Sequence, residues 1–474
     1  LSLFLMAKFG LTGGQAGVIY AIFYFSIYVL AFIGGLIADK TRNFKGTILT
    51  GLILMAVGYI IIAIPTGTPV PADKFLVFLG LTCFGLLVIA FGNGLFKGNL
   101  QALVGQMYDN PQYAKMRDSG FQWFYMFINV GAIFAPLAAV GVRNWWVNSH
   151  GFQYNPDLPA LCHQQLSGTL QGDAMIRFQD LSTKVGCQGT DLTAFANEYL
   201  NVFSTGFHYA FAVAIFAMLI SLVIYIFNKR KFPNPASKNK AVGVQENEMS
   251  AAEVKQRLYA LFAVFAVVIF FWMSFHQNGL TLTFFARDYT LLKIGGWDIT
   301  AELFQSINPF FVVFLTPIIM AFFGWLRAKG KEPSTPKKIA IGMLIAAIAY
   351  IVMVIGSYAL PSFKELTAQG GLSDVQRVTP YLLIGTYFIL TVAELFISPL
   401  GISFVSKVAP PKYQGMMQGL WLCATAVGNQ LLFIGAILYE HIPIWATWTV
   451  FVIACLISMT VMLSMLKWLE RVSK

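Results

Sequence analysis

Apolar residues run along this chain for about twenty positions at a time, and short polar stretches separate the runs. Such runs lie at about 17–38, 46–65, 75–103, 121–142, 205–228, 257–285, 304–326, 339–358, 379–406, 415–438 and 444–468. A bilayer core about 30 Å thick takes roughly 20 helical residues to cross, so each run predicts one spanning helix. The opening "LSLFLMAKFG" is too short to span. It also lacks the basic region and cleavage site of a signal peptide, and it reads as the outer end of a first helix that begins before Leu1. Counting that helix as H1, the eleven runs become H2 to H12 in order.

The polar connections orient these helices. Of 32 basic residues, 22 fall in 39–46, 107–120, 229–257, 327–338, 407–412 and 467–474, nine lie on the opposite side, and Lys97 belongs to neither. Basic loops stay in the cytoplasm, so that side is cytoplasmic and both termini lie there. The composition agrees: 57% of residues are hydrophobic and 11% charged, where soluble domains carry roughly 25%. The net charge of +11 is accounted for by these loops and makes no case for nucleic acid. The long connection 143–204 is then external, and its Cys162 and Cys187 could form a disulfide that constrains it.

The stretch 228–257, rich in Pro, Asn, Ser and Lys, divides the chain into a first bundle at 1–228, a linker at 229–256 and a second bundle at 257–474. "GGLIADKTRNFKGTI" after H2 is echoed by "FGWLRAKGKEPSTPKKIAIG" after H8. Two six-helix halves built from three-helix repeats describe an all-α membrane protein of the major facilitator fold. "GGLIADK" also resembles that superfamily's cytoplasmic loop motif, in which Asp39 would cap or pair with neighbouring helix ends.

Three ionisable residues lie deep in predicted spans: Lys97 in H4, His276 in H7 and Glu394 in H10. A charge at the bilayer centre costs on the order of 2.5–3.5 kcal/mol, so such groups are functional unless they snorkel or pack. H1, H4, H7 and H10 open the four triplets, and repeat symmetry gathers them around a central cavity. A cation at Lys97 and an anion at Glu394 suit a zwitterion. Asn129 in H5 and Asn308 in H8 add amides that donate and accept. Pro309, Pro317 and Pro399 are expected to interrupt their spans beside a cavity.

The same residues carry family motifs. "GNGLFKGNLQALVGQMYD" with "RDSGFQWFYMFINVGA" resembles the signature of the proton-dependent oligopeptide transporter family. "FFWMSFHQNGLTLTFFARD", "QSINPFF", "ELFISPLGISFVSKVAP" and "MQGLWLCATAVGNQL" match in order along the rest of the chain. The resemblance implies that Lys97 binds a peptide carboxylate, that Asn129 and Asn308 bond the peptide backbone, and that Glu394, with Ser398 one turn on, receives its amino terminus. Tyr28 and Trp421 would line the pocket. Lys97 and Glu394 would also take part in proton coupling. The positions of the family's H1 motif of two glutamates and an arginine fall before Leu1, outside this sequence. Gly98 stands where proline is usual. His276 stands where many members have a glutamate linked to coupling and gating. It either titrates in that role or serves as a neutral hydrogen-bonding group beside Gln277.

The expected activity is proton-coupled import of di- and tripeptides by a multi-pass protein of the bacterial inner membrane. The partners are then small peptides and the lipid bilayer, the chain is monomeric, and protons are the coupling ion without a cofactor. Transport of another small zwitterion or anion by the same fold, and uncoupled peptide facilitation, stay open. An enzyme is disfavoured, since no span carries His-x-x-x-His or paired-carboxylate metal spacing, and no metal is expected. No nucleotide-binding loop appears either.

Overall fold

The computed structural model describes residues 1–473 apart from 188, 190, 234–248, 296, 299–302 and 369–371. All eleven expected runs are helical, and among the described residues eleven helices are long and apolar enough to span. H1 is Ser2–Phe9, followed by H2 at Gly13–Thr41, H3 at Phe44–Ala63, H4 at Phe75–Met107, H5 at Arg117–Ser149 and H6 at Leu192–Asn228. H8 is Leu303–Ala328, H9 Thr335–Ser357, H10 Pro380–Val408 and H12 Ile444–Ser464. The exposed face of H6 carries Phe216, Leu219, Ile220, Val223 and Phe227. Their helical spacing makes a continuous apolar stripe of the kind lipid requires.

H7 and H11 are each broken. H7 runs over Ala251–Phe275, tightens to a 3-10 turn at His276–Gly279 and resumes at Thr281–Tyr289. H11 runs over Gln414–Gln430 and resumes at Phe433–His441. The prolines behave differently from the expectation above. H8 continues through Pro309 and Pro317, and H10 through Pro399. Neighbouring helices and local adjustments in a bundle can satisfy the carbonyl that a proline frees, so proline does not by itself end a span.

The chain forms two compact units. The first comprises 1–37, 45–97 and 134–232, and the second 38–44, 98–133 and 233–474. In the first unit, H2 and H4 cross through glycine: a Cβ on Gly34 would come within 2.2 Å of the Gly94 carbonyl. Small residues let backbones touch where no hydrophobic effect drives helices together. In the second unit, the Asp39 carboxylate accepts from the Gly415 and Met416 amides at 2.9 and 2.7 Å, capping the start of H11 as the loop motif implied. The expected linker at 229–256 lies for the most part outside the described residues.

The 143–204 connection is more ordered than a loop. H5 extends to Ser149, two further helices occupy Leu158–Leu166 and Asp173–Val185, and H6 begins at Leu192 with Asp191 capping its first amides. Phe152, Leu161, Phe178, Phe195, Tyr199 and Phe203 build its core together with H1.

Both cysteines there are free, which corrects the disulfide expectation. Cys162 is packed into that core, while Cys187 donates to the Gly189 carbonyl at 3.4 Å. Aromatic packing supplies the constraint that a covalent bridge was invoked to provide. Burial pushes the Cys162 thiol up to about 12, so it stays neutral and unreactive in the folded protein. Maleimide labelling at pH 7 should therefore modify Cys187 first and reach Cys162 only after unfolding, with no oxidised pair in peptide mapping. Recovery of a Cys162–Cys187 cross-linked peptide would refute this arrangement.

Candidate substrate site

The carboxylate expected to bind substrate, Glu394, lies in the second unit. Glu394 sits mid-H10 and is 4% exposed. Asn308 of H8 donates its amide to one carboxylate oxygen at 2.7 Å and to Thr391 Oγ1 at 3.0 Å. The Tyr125 phenol of H5 donates to the other oxygen. Asn129, one turn along H5, donates to the Tyr125 carbonyl at 3.0 Å. Ser398 is buried one turn beyond Glu394. Three helices thus converge on one carboxylate.

Every donor to that carboxylate is neutral. Within this unit, no basic side chain among the described residues lies within ion-pair distance of Glu394. A buried charge held only by neutral dipoles keeps a large desolvation cost. An arriving ammonium group or a proton would neutralise it.

Lys97 lies in the first unit. Its ammonium stands 5.5 Å from the centre of the Tyr28 ring, and the Tyr28 hydroxyl meets that of Tyr24 at 3.0 Å. Among the described residues no carboxylate pairs with Lys97. A cation against an aromatic face is held electrostatically while its hydrogens stay available to an anion.

His276 and Gln277 occupy the break in H7 and part ways there. His276 Nδ1 lies 3.0 Å from the Trp272 carbonyl, which can only accept, so Nδ1 carries the ring proton and Nε2 is left as the open nitrogen. Its ring packs on Trp272 and Phe275. Gln277 is fully buried; it donates to the Met273 carbonyl at 3.0 Å and, more weakly, to Leu432 at 3.5 Å, and it accepts from Thr281 at 2.5 Å. Leu432 lies in the break of H11, so Gln277 joins the two interruptions. Gly435 makes room for it, since a Cβ there would come within 2.2 Å of Gln277 Oε1.

Trp421 belongs to the second unit as well. It is 2% exposed, packs 6.2 Å from the Phe265 ring and fills the space left by Gly401, where a Cβ would stand 2.0 Å from the indole. Of the expected residues, the fold gathers Glu394, Asn308, Asn129 and Ser398 in one unit, and Tyr28 with Lys97 in the other. Tyr125 and Thr391 were not expected. Tyr125 precedes Asn129 by four residues and Thr391 precedes Glu394 by three, spacings that share one helix face and could have exposed both.

A model of the POT family matches residues 45–252 and 239–447. The peptide transporter YePEPT of Yersinia enterocolitica is 30% identical over 443 residues, covering 89% of this chain and 78% of that protein. Dipeptide and tripeptide permease A of Proteus mirabilis is 26% identical over 437 residues, covering 90% and 79%. The crystal structure of a peptide transporter POT in complex with sulfate superposes with a TM-score of 0.58 at 22% identity, covering 99% of this chain and 92% of that one. That likeness matches the all-α major facilitator architecture expected from the hydropathy pattern. With the motifs, the buried carboxylate cluster and these matches in agreement, the chain is a multi-pass membrane transporter belonging to the POT family.

Proposed function

We propose that this chain is a secondary active transporter that carries di- and tripeptides together with protons into the bacterial cytoplasm by alternating access. The observation that carries the reading is Glu394, a buried carboxylate served by Tyr125 and Asn308 and lacking a cation in its own unit. A peptide's amino terminus supplies that cation, so the proton that travels with the peptide is held at another group, His276 or Lys97. Symport requires the ammonium and that proton to be bound to the same carrier at once, and their joint release on the inner side is the step from which coupling is built. Lys97, backed by Tyr28, is the complementary group for the peptide carboxylate. Asn129 and Asn308 bond the peptide backbone, and Ser398 and Trp421 complete the binding residues.

The names of the relatives support peptide cargo: YePEPT is called a peptide transporter, and the Proteus mirabilis protein a dipeptide and tripeptide permease. The two bundles, 1–228 and 257–474, are the moving parts of the cycle, with both termini cytoplasmic in the inner membrane. The protein acts as a monomer, without enzymatic activity or a cofactor.

Full-length protein in proteoliposomes should accumulate labelled dialanine above equilibrium only when an inward proton gradient is imposed. Saturable uptake that merely equilibrates would identify a facilitator, and absence of uptake by folded protein would exclude peptides. The same assay separates the two roles of His276. Undiminished proton-driven accumulation by His276→Gln would assign coupling elsewhere and leave the histidine as a neutral hydrogen-bonding group.

A further inference from the structure

The outer end of the first unit buries a second ammonium that peptide binding leaves unused. Lys8, at the end of H1, is 2% exposed. It donates to the Thr66 carbonyl at 3.0 Å and meets His208 Nε2 at 2.9 Å. His208 Nδ1 lies 2.7 Å from the Ile62 carbonyl. That carbonyl can only accept, so Nδ1 carries the proton and Nε2 accepts from Lys8. Two ammonium hydrogens are thereby used and a third is left over.

No carboxylate pairs with Lys8 among the described residues. Beside it lies a cavity of about 150 Å³, lined by Lys8, His208, Thr66 and Thr82 and otherwise by aliphatic and aromatic side chains. Two buried hydroxyls in the same neighbourhood have no partner among the described residues. Ser204 lies one turn before His208, and Thr68 lies two residues beyond Thr66 and donates its backbone N–H to Asn201 Oδ1 of H6 at 3.3 Å. The Lys8 ammonium lines a space large enough for an ion and a few waters, and the two hydroxyls, close in sequence to its lining residues, can also donate.

We propose that Lys8, His208 and this cavity form a binding site for a small monovalent anion of the halide class. A buried ammonium calls for a counter-charge, and neither a carboxylate nor an open carbonyl supplies one here. The volume is too small for a peptide. The largely apolar wall suits a weakly hydrated ion better than sulfate or phosphate, which demand many donors. An occupied site would hold the outer ends of H1, H3 and H6 together, because Lys8, Ile62 and His208 come one from each.

The test compares thermal unfolding of the full-length protein in sodium chloride, sodium bromide and sodium gluconate at equal ionic strength. Chloride and bromide should raise the midpoint saturably, by about 2 °C, over gluconate. Lys8→Met should abolish that increment, whereas Lys97→Met, which removes the ammonium beside Tyr28, should retain it. Equal midpoints in the three salts, or an increment that survives Lys8→Met, would overturn the proposal. If Lys8→Met does not fold, equilibrium binding of radioactive chloride to the unmodified protein decides. One bromide-displaceable ion per chain, still bound by Lys97→Met, supports the site, and no binding refutes it.

Discussion

Replacing Glu394 with glutamine should lower proton-driven dialanine uptake at least about 30-fold while leaving the protein folded. Glutamine keeps the volume, and its amide can still bond Tyr125 and Asn308 once the Asn308 side chain turns. What disappears is the charge that an ammonium meets in a site sheltered from water. Removing one member of a buried, hydrogen-bonded charge pair costs roughly 2–5 kcal/mol, and each 1.4 kcal/mol is tenfold in affinity. Tyr125→Phe removes one neutral donor to the same carboxylate. The smaller worth of that bond, roughly 1.5–3 kcal/mol to a charged group, sets its expected loss at about tenfold or somewhat more. Uptake by Glu394→Gln within threefold of the unmodified protein would remove Glu394 from peptide binding.

Substituting Lys338 with methionine should produce the largest loss of stability among the polar groups of the second unit. Lys338 opens H9 and is 1% exposed. Its ammonium lies 2.8 Å from Asp118 at the start of H5 and 2.8 Å from Glu332 in the H8–H9 connection. Asp118 also accepts from Ser403 at 2.6 Å, and Glu332 binds Arg327 through both oxygens. Breaking a buried pair from one side leaves the other charges uncompensated and costs roughly 3–5 kcal/mol. Methionine preserves packing against Phe323, so the loss isolates the charge. Asp118→Asn combined with Lys338→Met should cost less than the two single losses added together. Strict additivity of the unfolding free energies would show that the pair is not coupled.

The same network predicts a pH dependence. Burial pushes the Glu332 carboxyl up, but hydrogen bonds and charge from Arg327 and Lys338 outweigh it and hold the group below its ordinary value near 4.5. A carboxyl depressed in the folded state contributes fully above that ordinary value, and the contribution is lost as pH falls below it. Thermal midpoints measured from pH 6 down to pH 3.5 should fall more steeply for the unmodified protein than for Glu332→Gln. Parallel profiles would exclude Glu332 as the titrating group.

The spans were legible because lipid leaves little choice. A backbone without water must bond to itself, so an apolar run of about twenty residues becomes a helix whatever surrounds it. Glu394, Asn308 and Lys97 stood out for the same reason, since polar groups at that depth need partners. The breaks were not legible. Pro309, Pro317 and Pro399 suggested interruptions where H8 and H10 continue. The actual breaks fall at 276–279 and 431–432, where no proline occurs. They depend on Gln277 of H7 reaching the Leu432 carbonyl of H11 across 155 positions of sequence.

The 143–204 segment shows the same division. Two cysteines in a long polar stretch suggested a disulfide, because spacing cannot reveal whether a core exists to replace it. The core that does so brings Phe4 and Phe9 of H1 against Phe178, Phe195 and Tyr199, residues far apart in the chain. Amino-acid order alone determined where the spanning helices lie and the residue types that lipid forces into pairs, both of which follow from local polarity. Tertiary packing alone decided which donors reach Glu394, where H7 and H11 break and that Cys162 stays free. Each of these depends on which distant backbone or side chain satisfies a buried polar group, and no local pattern encodes that choice.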